Sequence, residues 1–288
     1  VSVTAILLVL VAALTHAVWN LSAKRAGAAG ALFVWGYCAV ATVVCAPVAV
    51  VTLLASGAQP SWSWLYAAAV SAVLHVGYYL ALQRGYAVGD MSVVYPVARG
   101  TGPLLSVLAA VLLLGEHPGV LGLAGAAAVV LGVLVISAGR ASAAKGTSAR
   151  VSLAYGLVTG VGIAVYTLWD AHSVNAMGVP PLIYLVVGMA METAILSPNA
   201  VANRGRLAAL WREHRVDLLV VGVLSPLAYL LVLFAMRIAP VSLVAPARES
   251  SIVVGSLIAW LVLGESNPLR RMIGSVIVLT GIVAIAVA

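Results

Sequence analysis

Along the chain, apolar residues gather in ten runs, separated by short breaks that carry Gly, Pro or charge. The runs cover roughly 3–23, 31–55, 62–82, 92–114, 119–139, 151–171, 180–199, 216–236, 241–263 and 271–288. A membrane-crossing helix needs about 20 mostly apolar residues, so the pattern predicts an all-α chain of ten transmembrane helices. The first run has no basic residue before it and is long enough to span, so it reads as a retained helix rather than a cleaved signal. The longest polar stretches are 139–152 and 199–217. In the second, Leu207, Leu210 and Trp211 lie among Arg204, Arg206, Arg212 and Arg215, the pattern of a short amphipathic helix at a membrane interface. Trp62 and Trp64 fit interfacial anchors.

Residues 98–116 read ARGTGPLLSVLAAVLLLGE, and residues 247–265 read ARESSIVVGSLIAWLVLGE. Without gaps, Ala98, Arg99, Leu108, Ala110, Leu112, Leu114, Gly115 and Glu116 match Ala247, Arg248, Leu257, Ala259, Leu261, Leu263, Gly264 and Glu265. The first copy lies in run four and the second in run nine, so the repeating unit is five runs. An odd unit sets the two halves in opposite orientation, the construction of many secondary transporters. The expected organisation is a first repeat over 1–140, a connecting loop over 141–150 and a second repeat over 151–288.

Composition narrows the class. The 288 residues are 64% hydrophobic and only 8% charged, too little charge to cover a water-soluble surface. In such a chain the net charge of +7 points to basic cytoplasmic loops and not to nucleic acid. The odd-numbered loops hold Lys24, Arg25, Arg84, Arg140, Lys145, Arg150, Arg204, Arg206, Arg212, Arg215, Arg270 and Arg271, and the even-numbered loops hold Arg237 alone. The positive-inside rule then places the odd loops in the cytoplasm and both termini outside an inner (plasma) membrane. Cys38 and Cys45 fit reduced structural thiols, and no Cys/His spacing predicts a metal. The motifs of metalloproteases, α/β-hydrolases and phosphate-binding loops are missing, so neither an enzyme nor a cofactor is expected.

The five-plus-five repeat, the twin Leu-Gly-Glu endings (Leu114-Gly115-Glu116 and Leu263-Gly264-Glu265) and the opening Ala17-Val18-Trp19-Asn20 resemble the EamA-type branch of the drug/metabolite transporter superfamily. That resemblance implies an exporter of small metabolites, amino acids included, as in YddG-like exporters of aromatic amino acids. It also implies a pathway between spans 1, 3, 4, 6, 8 and 9, with spans 5 and 10 outside. The family is usually drawn with cytoplasmic termini, opposite to the charge pattern here.

Charged residues inside spans are costly and mark function by default. Arg99 and Arg248 recur in both halves; each either grips a substrate carboxylate in two-pronged fashion, caps carbonyls freed by the preceding proline or snorkels to an interface. Glu249, opposite Gly100 in the repeat, is either a substrate-amine or coupling site or a local ion-pair partner. His75, Tyr78 and Tyr79 share one helix face. With Trp19, Tyr95, Tyr166, Trp169 and Tyr229 they can form an aromatic box for a flat apolar or cationic substrate, or else fill core. His16, four before Asn20, either hydrogen-bonds across helices or carries protons. Glu192 is either a proton carrier or an interhelical hydrogen-bond partner, and Asp170, near the end of run six, is expected to be wetted. Pro96, Pro103, Pro226, Pro240 and Pro246 are candidate hinges. Gly156 and Gly160 form one GxxxG, which permits close helix packing.

The expected function is secondary export of small metabolites, amino acids including aromatic ones, by alternating access through a central cavity. The alternative is a multidrug or organic-cation exporter on the same fold, for which Glu249 or Glu192 is essential. On the amino-acid reading the Tyr78 and Tyr79 rings matter more than either carboxylate. The expected partners are a small-molecule substrate and membrane lipid, the expected working unit a monomer.

Overall fold

The computed structural model describes residues 2–25, 30–137, 147–255 and 268–288. The described residues form helices and connecting turns, with no strand. In chain order the helices are α1 (Val3–Arg25), α2 (Gly30–Ser56), α3 (Trp62–Val88), α4 (Met91–Leu113), α5 (Gly119–Ser137), α6 (Thr147–Asn175), α7 (Pro181–Ala202), α8 (Arg204–Ile238), α9 (Val241–Ala247) and α10 (Pro268–Val287). A 3₁₀ turn, Arg248–Ser250, follows α9, and residues 251–255 are again helical. The end of run nine, with Leu263-Gly264-Glu265, lies outside the described residues.

Eight of the described helices are long and apolar enough to cross a membrane. Their packing is inverted relative to a soluble protein. Large apolar side chains such as Leu7, Val51, Leu54, Leu112 and Val276 point outward, while Ser106, Thr159, Thr167, Asp170, Glu192, Arg248 and Glu249 are buried. A water-soluble surface does not sustain that much contiguous apolar area, whereas lipid demands it and leaves polar groups to satisfy one another inside. The structure is that of a multi-pass membrane protein.

The halves pack as a two-fold related pair, with each helix matching the one five further on. α1 lies along α8 as α6 lies along α3, and α2 touches α8 as α7 touches α3. α2 packs on its own mate α7, and α5 on its own mate α10. The α5–α10 contact shows the direction of the relation. A Cβ on Gly125 would come 2.7 Å from the Gly281 carbonyl oxygen, and one on Gly132 would come 2.7 Å from that of Gly274. Rising residue numbers on one helix meet falling numbers on the other, so the helices are antiparallel. The repeat register that aligns Arg99 with Arg248 also aligns Gly125 with Gly274 and Gly132 with Gly281. Two antiparallel mates related by one register mean that the halves are inverted.

Three local features position the interior. The pair Gly156 and Gly160 of α6 faces α4: a Cβ on Gly156 would lie 2.7 Å from Val97 Cβ, and one on Gly160 would collide with Thr101 Oγ1. This GxxxG therefore seats α4 within the chain. Gly115 takes φ 66, the left-handed conformation that favours glycine. That turn returns the Glu116 N–H to the Ala110 carbonyl and aims the Glu116 carboxylate at the start of α9. There it accepts from the backbone N–H groups of Val241 and Ser242, both at 2.8 Å. Finally, α8 is broken at His214 (φ −123, ψ 25), which separates the amphipathic 204–213 piece from the membrane-crossing part.

Candidate functional site

The polar interior holds two clusters and a set of aromatic rings. The first is built on Asp170 of α6. Its side chain is fully buried, contrary to the expectation that it is wetted. α6 continues to Asn175, so Asp170 sits more than a turn inside, and side chains from three neighbouring helices take the place of water. Ser71 of α3 donates to Oδ1 at 2.7 Å, and Tyr184 of α7 donates to Oδ1 at 2.5 Å. The Tyr229 hydroxyl of α8 donates to Oδ2. His75 Nε2 lies 3.0 Å from Oδ2. The other ring nitrogen, Nδ1, lies 3.8 Å from Glu192 Oε1 of α7. The Cys38 thiol of α2 donates to Glu192 Oε2 at 3.2 Å. Two buried carboxylates thus flank one imidazole, and Cys38 is tied into the chain rather than acting as apolar filler.

The rings come next. Tyr166 packs against His75 with centroids 4.2 Å apart, against Tyr78 at 5.4 Å and against Tyr229 at 6.5 Å. Tyr79 contacts Tyr78 at 4.9 Å and His75 at 6.4 Å. Tyr37 of α2 joins them through Tyr79 at 6.3 Å, a member that the sequence pattern does not single out. Trp169 stands apart: its indole N–H donates to the Ala67 carbonyl at 2.9 Å, fastening α6 to α3. Tyr95 lies beneath the Arg99 guanidinium at 5.9 Å.

The second cluster is Arg99, Arg248 and Glu249. Arg99 Nε lies 3.0 Å from Glu249 Oε2, and Arg248 Nε lies 3.8 Å from Glu249 Oε1. Arg99 also donates from Nη2 to Ser251 Oγ at 3.4 Å. Pro246 supplies no N–H to the helix, and such a gap favours a tightened 3₁₀ turn; that turn carries Arg248 and Glu249 inward. None of these contacts is aligned as a hydrogen bond to Glu249. Among the described residues, Arg99 Nε, Arg248 Nε, both Glu249 carboxylate oxygens, Trp19 Nε1 and Ser250 Oγ are buried without a hydrogen-bond partner. Buried polar atoms in native proteins are nearly always satisfied, so these groups take their hydrogen bonds from water, an ion or a bound molecule. Trp19 lies beside His16, with ring centroids 4.5 Å apart.

Pro96 and Pro103 lie inside α4, Pro226 inside α8 and Pro246 inside α9. Each leaves the carbonyl four residues earlier without its helical donor. Pro240 precedes the first residue of α9. Among the described residues no His, Cys, Asp and Glu group has the arrangement to hold a metal ion.

Inverted helical halves with charge gathered between them define a membrane transport fold. The chain belongs to the EamA-like transporter family, whose pattern it matches twice, over residues 3–138 and again over 151–287. That membership makes it a membrane transporter of small molecules. A solved structure titled "Crystal structure of protein" shares the fold, with a TM-score of 0.76 at 17% identity, covering 100% of this chain and 98% of the other. No curated protein matches the sequence.

Proposed function

We infer that the protein is a secondary exporter of amino acids, aromatic ones included, working by alternating access as a ten-span monomer in the inner membrane. The repeats are read as 1–140 and 151–288, joined by 141–150. One observation carries the substrate class: buried charges of both signs, in ion-pair range of one another but without an aligned hydrogen bond between them, stand together beside a set of tyrosine rings. An amino acid supplies the missing partners. Its carboxylate suits the guanidinium groups of Arg248 and Arg99 and the Trp19 indole N–H, because guanidinium grips carboxylate in two-pronged geometry. Its ammonium suits the Glu249 carboxylate. Tyr78, Tyr166 and Tyr229 offer polar-edged aromatic surface to its side chain. Glu249 therefore weighs more than the sequence pattern alone gives it.

The cavity is placed between α1, α3, α4, α6, α8 and α9. The helix pairs α3–α4 and α8–α9 move against the rest at Pro96, Pro103, Pro226 and Pro246, opening one side as the other closes. Organic-cation export is the competing reading, since Glu249 and the rings also suit a cation. The two differ at the arginines, which a cation does not need.

The test is counterflow. Proteoliposomes loaded with unlabelled tryptophan should transiently accumulate labelled tryptophan. Excess tryptophan should block this, whereas tryptamine, which keeps the ring and the amine but lacks the carboxylate, should compete poorly. Failure with tryptophan beside a signal with labelled tryptamine would move the function to organic-cation export.

A further inference from the structure

We propose that His75 and Glu192, anchored on Asp170, form a proton-binding site on the transport pathway, whose proton is the one exchanged for substrate. The exchange role rests on the transporter reading above; the binding site rests on geometry alone. The groups facing His75 are Asp170 and Tyr166 of α6, Glu192 of α7, Tyr229 of α8, Tyr79 of its own helix, and Arg248 at electrostatic range. Those facing Glu192 are Cys38 and Tyr37 of α2, His75 and Tyr79 of α3, and Asp170.

The two carboxylates are not equivalent. Asp170 accepts from three hydroxyls and contacts the ring, and a carboxylate that takes so many donors is an acceptor only. Among the described residues Glu192 has one donor, a thiol, and thiols donate weakly. Asp170 is thus the fixed anion that orients the imidazole, and Glu192 is the carboxylate with room for a proton. The step balances simply. Imidazolium gives its Nδ1 proton to Glu192 Oε1, leaving a neutral ring that still donates from Nε2 to Asp170 and a neutral carboxylic acid. Loss of that proton to water in the pathway leaves Glu192 ionised and the interior one charge more negative.

The separation of 3.8 Å between Nδ1 and Oε1 is about 1 Å longer than a hydrogen bond. Transfer therefore requires the two side chains to close that gap, and an approach of α7 to α3 closes it, which ties the proton to helix position. His75 also stacks on Tyr166, and Tyr229 binds Asp170. Two rings offered to the substrate thus touch the proton site directly.

Infrared pH-difference spectra of the full chain in liposomes, with no substrate present, test the binding site. As pH falls from about 8 to about 5, the interval in which imidazole changes charge, a protonated-carboxyl band should grow. It should vanish in Glu192→Gln and persist in Glu213→Gln, whose side chain is exposed on the amphipathic piece. No band, or one that survives Glu192→Gln, overturns the proposal. If Glu192→Gln does not fold, Glu192→Asp must move the band, and an unmoved band has the same force. Transport in the same liposomes tests the exchange. A one-unit gradient, acid inside, should support about tenfold tryptophan accumulation, the value of one proton per substrate. Glu192→Gln should bring the ratio of gradient-driven accumulation to counterflow down by about that factor. An unaltered ratio overturns the exchange role and leaves the substrate reading standing. Absent counterflow beside a titrating Glu192 band overturns the substrate reading and leaves the proton site standing.

Discussion

Asp170 is where single residues weigh most. Its oxygens collect Ser71, Tyr184, Tyr229 and His75 from α3, α7 and α8, so removing it takes the partner from four buried or half-buried polar groups. Asp170→Ala should cost about 3–5 kcal/mol, the penalty for breaking a buried charged network, whereas Ser71→Ala removes one donor and should cost about 1 kcal/mol. Thermal unfolding in detergent measures both. In the second cluster, Arg248→Lys keeps the charge and loses the two-pronged grip. It should raise KM for tryptophan about tenfold, the worth of one charge-assisted hydrogen bond, while leaving the weak competition by tryptamine unchanged. The two sites were unequally legible in the sequence. Arg99 and Arg248 announce themselves by recurring, and His75, Tyr78 and Tyr79 by sharing a helix face. Asp170 does not, because its meaning comes from hydroxyls on three other helices, which no spacing along one helix reveals. Trp169, one residue earlier, is turned about 100° around α6, and its indole N–H donates across the seam with α3 to Ala67.

Two helix pairs meet by close backbone approach rather than by side-chain bulk. α5 and α10 meet through Gly125, Gly132, Gly274 and Gly281, and α4 and α6 through Gly102, Gly156 and Gly160. Gly132→Leu places its side chain against the Gly274 carbonyl and the Val278 backbone, neither of which can step aside. It should lower the thermal midpoint sharply, whereas Gly77→Ala, with open space around it, should raise stability by about 0.5–1 kcal/mol through helix propensity. The helical runs and their repeat are plain in the sequence because apolar length and a copied motif carry them. The α5–α10 glycine seam shares the register of that repeat but passes unnoticed, since small residues are common throughout a membrane chain and only their cross-helix partners distinguish them; of the α4–α6 seam the sequence shows the Gly156/Gly160 spacing and not its partner helix. The break after Pro246 is similarly hidden: a proline tells that a helix is perturbed, not that the next turn will deliver an arginine and a glutamate to the interior.

At the scale of the whole molecule, the Glu116 contact and the charge pattern constrain each other. Glu116 follows α4, and its carboxylate caps the start of α9 through Val241 and Ser242. The loops after spans four and eight must therefore lie on one side of the membrane. An inverted five-plus-five arrangement gives this result, since both loops are even-numbered. The even loops are also the ones nearly free of Lys and Arg, so on the proposed sidedness, which the positive-inside rule supports, this contact lies on the outer face. A carboxylate on a helix N-terminus is stabilised both by hydrogen bonds and by the helix dipole, and Glu116→Ala should cost about 1–3 kcal/mol. Because the contact joins the two halves, its loss should also favour the state open to the outside, raising the alkylation rate of a cysteine placed at Ser242. The sidedness has its own measurement. A periplasm-dependent reporter fused to Ala288 should be active and a cytoplasm-dependent one silent. The reverse result would put the Glu116 contact on the cytoplasmic face, and Glu116→Ala would then have to open the inside. Reporter and alkylation must therefore agree. A Ser242→Cys that reacts from the side opposite to the one where the reporter is active would show that the two loops do not share a face, and the inverted arrangement would fall with it.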